Sequence, residues 1–130
     1  MRPLASDSLL IENGRILLVE RKFEPFKGYW AIPGGMVELN ESAEECAIRE
    51  MQEETGLSTI PYQLVGVYSD PKRDPRGVVA VVYLVRKVGG VLLAGTDAKS
   101  AKWFDLDKLP KLAADHLKII EDAKLKLIKN

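Results

Sequence analysis

Three glutamates stand close together in the segment REMQEETGL, which covers residues 49–57. On a helix, Glu50, Glu53 and Glu54 would fall within little more than one turn, and like charges four residues apart on a helix repel each other. Carboxylate oxygens suit Mg²⁺ and Mn²⁺, and Mg²⁺ is usually bound together with the phosphates of a substrate. The spacing therefore indicates a divalent-cation site that would also offset the repulsion.

A simpler interpretation is a solvated acidic helix end, because runs of charge usually lie on exposed faces. At roughly 100° per residue, however, Ala43, Cys46 and Ala47 share one side of the helix. Glu50 and Glu54 continue that side, so they would be partly desolvated and would need a countercharge. They also stand near the C-terminal end of the helix, where the macrodipole disfavours negative charge. Both features favour the cation site.

The helix that holds these carboxylates has recognisable ends. Ser42 followed by Glu45 matches a capping box, in which each side chain bonds the other residue's backbone N–H. Gly56 stands where a helix commonly ends in a left-handed residue. The sequence therefore predicts a helix from about Ala43 to Thr55.

Apolar runs elsewhere in the chain predict strands. SLLI and RILLVE flank Asn13-Gly14, a pair typical of the turn in a β-hairpin. YQLVGVYS and the β-branched GVVAVVYLVRK predict two further strands, the second of them central, and VLLAG and AKWFD predict short ones. FEPFKGYWAIPGG indicates a structured loop, and an amphipathic pattern predicts a terminal helix over about 113–128.

Length and composition limit the classes of function. A chain of 130 residues with 46% hydrophobic and 29% charged residues predicts a single globular domain over residues 1–130. Acidic and basic residues number 19 each, which argues against a nucleic-acid surface. The chain has one cysteine and neither a signal-peptide pattern nor a long apolar stretch, so we expect a cytoplasmic protein without membrane association. The charge balance does not exclude a local basic pocket for a phosphate-bearing small molecule, and a homodimer is left open.

A longer pattern surrounds the acidic helix. From Gly35 the chain reads GMVELNESAEECAIREMQEETGL. This stretch resembles the signature of the Nudix hydrolases: Gly, five residues, Glu, seven residues, Arg-Glu, an apolar residue, any residue, Glu-Glu, any residue, Gly and an apolar residue. All the fixed positions are met, by Gly35, Glu41, Arg49, Glu50, Met51, Glu53, Glu54, Gly56 and Leu57.

The resemblance implies an α/β fold, a Nudix-type α/β/α sandwich around a mixed β-sheet. It also implies Mg²⁺-dependent hydrolysis of the diphosphate linkage in a nucleoside diphosphate joined to another group, with Mn²⁺ as an alternative cofactor. The expected metal ligands are Glu50, Glu53, Glu54 and the backbone carbonyl of Gly34. Arg49 would orient a glutamate. For the general base the resemblance leaves two candidates, Glu53 and Asp97.

A second resemblance concerns the substrate. SDPKRDPRG, residues 69–77, is similar to a loop of ADP-ribose pyrophosphatases in the same family, which have a proline at about the position of Pro71. Arg73 and Arg76 on this loop would bind phosphate or ribose oxygens, because guanidinium groups suit bidentate contacts to oxyanions. The implied reaction splits ADP-ribose into AMP and ribose 5-phosphate. Two alternatives stay open: hydrolysis of damaged nucleoside triphosphates, and a non-catalytic nucleotide-sensing domain.

Overall fold

The computed structural model describes residues 1–93 and 100–129. Within these residues the chain forms seven strands and two helices. In chain order they are β1 Leu4–Glu12, β2 Arg15–Glu20, β3 Trp30–Ala31, β4 Gly34–Met36, α1 Ala43–Thr55, β5 Leu57–Tyr68, β6 Val79–Gly90, β7 Ala101–Asp105 and α2 His116–Lys129. No helix among the described residues is long and apolar enough to cross a membrane.

Strand β1 is the centre of the sheet. Most of its length pairs in parallel with β6, while its first half also pairs antiparallel with β4 and its end pairs antiparallel with β2. Strand β5 lies antiparallel on the far side of β6, and β2 binds both β3 and β7. The sheet is therefore mixed, and β1 holds β4 directly beside the parallel pair.

The two helices cover opposite faces of this sheet. Leu9 packs in a buried cluster with Ile119 and Ile120 of α2. Its neighbour Leu10 packs in a second cluster with Met51 of α1. Because successive strand residues point to opposite faces, one apolar run on β1 serves both layers. The result is the α/β/α sandwich with a mixed sheet that the sequence predicts.

The local predictions around α1 and the first hairpin are confirmed. The Ser42 hydroxyl accepts from the Glu45 backbone N–H at 3.0 Å, and the Glu45 carboxylate accepts from the Ser42 backbone N–H at 2.8 Å. Gly56 adopts φ 81°, the left-handed conformation expected of the cap. In the hairpin, Asn13 and Gly14 both have positive φ, at 53° and 74°. Short-range hydrogen-bonding chemistry thus decides where these elements begin and end.

Strands β1 and β5 begin at Leu4 and Leu57, before the predicted runs that begin at Ser8 and Tyr62. Three other boundaries also differ from the predictions. The segment predicted as a loop before the acidic helix contains the short strands β3 and β4, because β2 and β1 offer them edges to pair with. Val91–Leu93 is not a strand, and the Leu93 backbone N–H instead bonds the Thr55 carbonyl at the end of α1. Helix α2 begins at His116 and not near residue 113. Contacts distant in sequence decide all three.

Candidate active site

Strand β4 places two glycines against two carboxyl groups. A Cβ on Gly34 would overlap the Asp7 carboxyl on β1, and a Cβ on Gly35 would overlap the Glu50 carboxyl on α1. The Gly34 backbone N–H donates to Glu54 Oε1 at 2.8 Å. Only glycine permits so close an approach at these two positions. The backbone of β4 therefore lies directly between the acidic helix and the first strand.

Arg49 binds three carboxylates around this backbone. Its Nη1 donates to Glu50 at 2.7 Å and to Glu53 at 3.0 Å, while its Nε and Nη2 donate to the two oxygens of Glu41 at 2.9 and 2.7 Å. The hydrogen bonds from Arg49 and from the Glu38 backbone N–H lower the pKa of Glu41 to about 2. The same contact with Glu41 raises the pKa of Arg49. Arg49 is thus the countercharge of the cluster in this structure.

The residues present supply the donors that a divalent cation needs. No group of three His, Cys, Asp or Glu side chains among the described residues is arranged as a ready-made metal site. The carboxylates of Glu50 and Glu53 are turned toward the guanidinium of Arg49. Their oxygens are nevertheless the ligands preferred by Mg²⁺ and Mn²⁺, and the missing Cβ atoms of Gly34 and Gly35 leave the β4 backbone accessible. In donor chemistry the cluster fits such a cation.

Basic side chains share a cleft with the acidic helix. The cleft measures about 260 Å³, and its lining includes Glu50 and Glu54 together with Arg21 and Arg76. Arg21 bonds the Pro25 carbonyl through Nε at 2.7 Å, and Arg76 bonds Asp74 through Nε and Nη2. Burial and the nearby Arg76 guanidinium lower the pKa of Arg21. The site therefore sets two guanidinium groups against an acidic helix.

The other arginine of the same loop is directed into the protein. The Arg73 side chain is only 4% exposed, and it donates through Nε and Nη2 to the two oxygens of Asp115 at 3.0 and 2.7 Å. Its Nη1 donates to the Val78 carbonyl at 2.9 Å. Arg73 thus ties the loop over residues 69–78 to the start of α2. This geometry differs from the substrate contact expected from the sequence, because the structure already directs all three guanidinium nitrogens at protein acceptors.

Two buried titratable groups lie behind β4. The His116 Nδ1 accepts a hydrogen bond from the Ile32 backbone N–H at 3.0 Å, and burial together with the charge of Arg73 lowers the pKa of His116 to about 4. Asp7 is 7% exposed, and burial raises its pKa to about 8, against the opposing effect of Arg73. At neutral pH the His116 imidazole is therefore predominantly uncharged.

The structure brings most of the predicted site residues together. Gly34, Glu50, Glu54 and Arg76 line the same cleft, and Arg49 bonds Glu50 and Glu53. Asp97 lies outside the described residues. Sequence reasoning missed Arg21 and Asp7 as parts of the site. Asp7 had a visible signal, since it is the one charged residue in the run ASDSLLI.

Comparison with known sequences places the chain in a protein family. The sequence pattern of the NUDIX domain matches residues 1–123. An ADP-ribose pyrophosphatase from Methanocaldococcus jannaschii is 52% identical over 120 residues, which is 92% of this chain and 71% of that protein.

Comparison with solved structures gives the same fold. A MutT/nudix family protein from Enterococcus faecalis has a TM-score of 0.85 at 33% identity, over 100% of this chain and 63% of that one. The NUDIX domain of Shewanella oneidensis NrtR, solved in complex with ADP ribose, has a TM-score of 0.84 at 29% identity, over 98% of this chain and 89% of that one.

Proposed function

The chain belongs to the Nudix family of hydrolases, and from this premise we propose that it hydrolyses ADP-ribose to AMP and ribose 5-phosphate with Mg²⁺ or Mn²⁺. Two comparisons support this substrate: the 52% identical relative is an ADP-ribose pyrophosphatase, and a close structural neighbour binds ADP ribose. The substrate is therefore a nucleoside diphosphate joined to a second sugar.

The mixed charge of the cleft lining is the observation that supports the proposal most directly. Glu50 and Glu54 supply carboxylates, and Arg21 and Arg76 supply guanidinium groups. Such a lining suits a diphosphate, because guanidinium groups bind its oxygens while carboxylates hold the cations that neutralise its charge. Neither the bonds of Arg21 nor those of Arg76 to described residues use Nη1. Each arginine thus has donors that could be directed at phosphate oxygens.

The proposed metal ligands are Glu50, Glu53, Glu54 and the Gly34 carbonyl. A divalent cation bound there would neutralise phosphate charge and lower the pKa of the attacking water. The Gly34–Glu54 hydrogen bond fixes the β4 backbone relative to α1, and these two elements supply the proposed ligands. Arg49 holds Glu50 and Glu53 on one side of the helix, and its bonds to Glu41 keep the guanidinium in place.

A carboxylate must accept the proton of the attacking water. Glu53 is the most exposed of the three carboxylates that accept hydrogen bonds from Arg49, at 58%, so it can turn toward bulk water or a bound substrate. Asp97 is the second candidate for this role. We assign the base to one of these two residues.

The loop over residues 69–78 would decide which diphosphate is accepted. We assign substrate contact to Arg76, which lines the cleft, and a positioning role to Arg73, which is bonded to Asp115 and Val78. Contacts of Arg76 beyond the diphosphate would favour a second sugar over a triphosphate chain, because a site built for polar contacts discriminates against ligands that lack them.

A substrate panel tests the proposal. We expect kcat/KM for ADP-ribose to exceed the values for other nucleotide sugars and for oxidised nucleoside triphosphates, with AMP and ribose 5-phosphate as the products. A triphosphate preferred by tenfold, or about 1.4 kcal/mol in transition-state free energy, would overturn the ADP-ribose assignment and leave the family unchanged. Tight binding of ADP-ribose without turnover in Mg²⁺ or Mn²⁺ would instead identify a nucleotide-sensing domain.

A further inference from the structure

A second, smaller cavity lies behind the β4 backbone. It measures about 90 Å³, and its walls include Asp7 of β1 and His116 of α2. It shares Arg21, Gly34 and Arg76 with the cleft that holds the acidic helix. One ligand could therefore extend from the cleft into the cavity.

Asp7 is the side chain of this cavity that lacks a partner. The other polar side chains around it are engaged: Arg73 bonds Asp115, Arg76 bonds Asp74, and His116 bonds the Ile32 backbone. No described residue donates a hydrogen bond to the Asp7 carboxyl, although this residue is 93% buried, its exposure being 7%. The Asp7 carboxyl is not fully sealed from solvent, because among the described residues only Thr59 Oγ1 is a completely buried side-chain atom without a hydrogen-bond partner. A ligand in the cavity would replace the solvent that Asp7 contacts. The cavity is therefore suited to a ligand that supplies the missing hydrogen bonds.

Charge and chemistry narrow the class of that ligand. An anionic group would meet the Asp7 carboxyl, and a cationic group would meet Arg21, Arg73 and Arg76, which also line the cavity. A neutral hydroxyl both donates and accepts, so it complements a carboxyl group in either protonation state. Two adjacent hydroxyls would satisfy both carboxyl oxygens. These features favour a vicinal diol.

Size excludes the largest part of a nucleotide. An engineered cavity of about 150 Å³ in another protein holds benzene, so a cavity of about 90 Å³ is too small for a purine. The hydroxyl edge of a pentose is smaller and polar. We propose that this cavity is a ribose subsite in which the Asp7 carboxyl binds the vicinal hydroxyls of the substrate and thereby determines specificity. This inference rests on the proposed function, because the cavity shares lining residues with the same cleft.

The test compares substrates that differ only in one hydroxyl. The compounds are ADP-ribose, its analogue lacking the 2′-hydroxyl of the adenosine ribose, and its analogue lacking the 2-hydroxyl of the terminal ribose. The wild-type kcat/KM should fall at least tenfold for one of the two analogues, and that analogue identifies the ribose in the cavity. Equal values for all three compounds would overturn the proposal.

The variant Asp7→Val then assigns the discrimination to this residue. Valine is close in shape, suits a strand and makes no side-chain hydrogen bond, so the preference for the complete diol should fall by at least tenfold. The control Asp107→Val alters an exposed aspartate outside both the cavity and the cleft and should keep the wild-type preference. If Asp7→Val lowers kcat/KM equally for all three compounds, Asp7 does not discriminate between substrates with and without these hydroxyls, and the inference is wrong.

Two further measurements test the ribose subsite without the Asp7→Val variant and without hydrolysis of the substrate. Calorimetric titration of the wild-type protein with the three compounds in a chelator gives the same comparison as dissociation constants. If ADP-ribose binds but is not hydrolysed even with Mg²⁺ or Mn²⁺, the proposed reaction fails while the subsite is still tested. In a crystal structure with ADP-ribose, two ribose hydroxyls should lie within about 3.2 Å of the Asp7 carboxyl oxygens. Ribose hydroxyls placed elsewhere would refute the assignment even if Asp7→Val does not fold.

Discussion

Replacing His116 should remove a specific part of the pH dependence of stability. In the folded protein its Nδ1 accepts from the Ile32 backbone N–H, so the imidazole must stay neutral there. The variant His116→Asn places an amide oxygen near the position of Nδ1 and cannot titrate. His116 is also the only histidine in the chain. The difference in unfolding free energy between the two proteins therefore isolates one titration.

The sign and size follow from the depressed pKa. His116 has a folded-state pKa of about 4 against an ordinary value of 6.5. As the pH falls below 6.5, His116 takes up a proton in the unfolded chain but not in the folded protein. The contribution of His116 to stability is therefore present above pH 6.5 and is lost toward pH 4. The gap of about 2.5 pH units corresponds to about 3 kcal/mol at about 1.36 kcal/mol per unit. That is a large share of the ~5–15 kcal/mol typical of a domain.

Urea unfolding followed by circular dichroism at a series of pH values measures this effect. The wild-type protein should lose about 3 kcal/mol relative to His116→Asn between about pH 7.5 and about pH 4. The titration of Asp7 changes stability in the opposite direction. Because the pKa of Asp7 is raised in the folded protein, the unfolding free energy falls as the pH rises from 3.8 toward about 8. It is present in both proteins, so its effect cancels in the difference. Parallel stability curves for the two proteins would refute the reasoning.

Three further changes test the active site. Hydrolysis should stop in a chelator and return with Mg²⁺ or Mn²⁺, and full activity in metal-free buffer would contradict the proposed metal ligands. Glu53→Gln should lower kcat by about a hundredfold with folding intact, because the side chain is 58% exposed; a mutant as active as the wild type would exclude Glu53 as base and as ligand. Gly35→Ala should displace the Glu50 carboxyl and lower kcat at least tenfold. Unchanged kcat with an unchanged circular dichroism spectrum would show that this close approach is not needed.

The sequence predicts the acidic helix well because its determinants are local. The Ser42–Glu45 capping box and the Gly56 cap are fixed by residues within a few positions of each other. The spacing of Glu50, Glu53 and Glu54 on one helix likewise follows from the helical repeat. The short strands β3 and β4 were not predicted, since each exists only through an edge supplied by a distant strand.

The two loop arginines show where spacing alone cannot decide a role. Arg73 and Arg76 stand three residues apart and were given the same role from the sequence. The difference arises from Asp115, which lies 42 residues beyond Arg73 and binds it bidentately. Asp74, two residues before Arg76, instead holds that guanidinium beside the cleft. Because a buried ion pair is costly to break, the Arg73–Asp115 pair holds the loop of residues 69–78 against the start of α2. Arg76 is then the arginine of this loop that is available to a substrate.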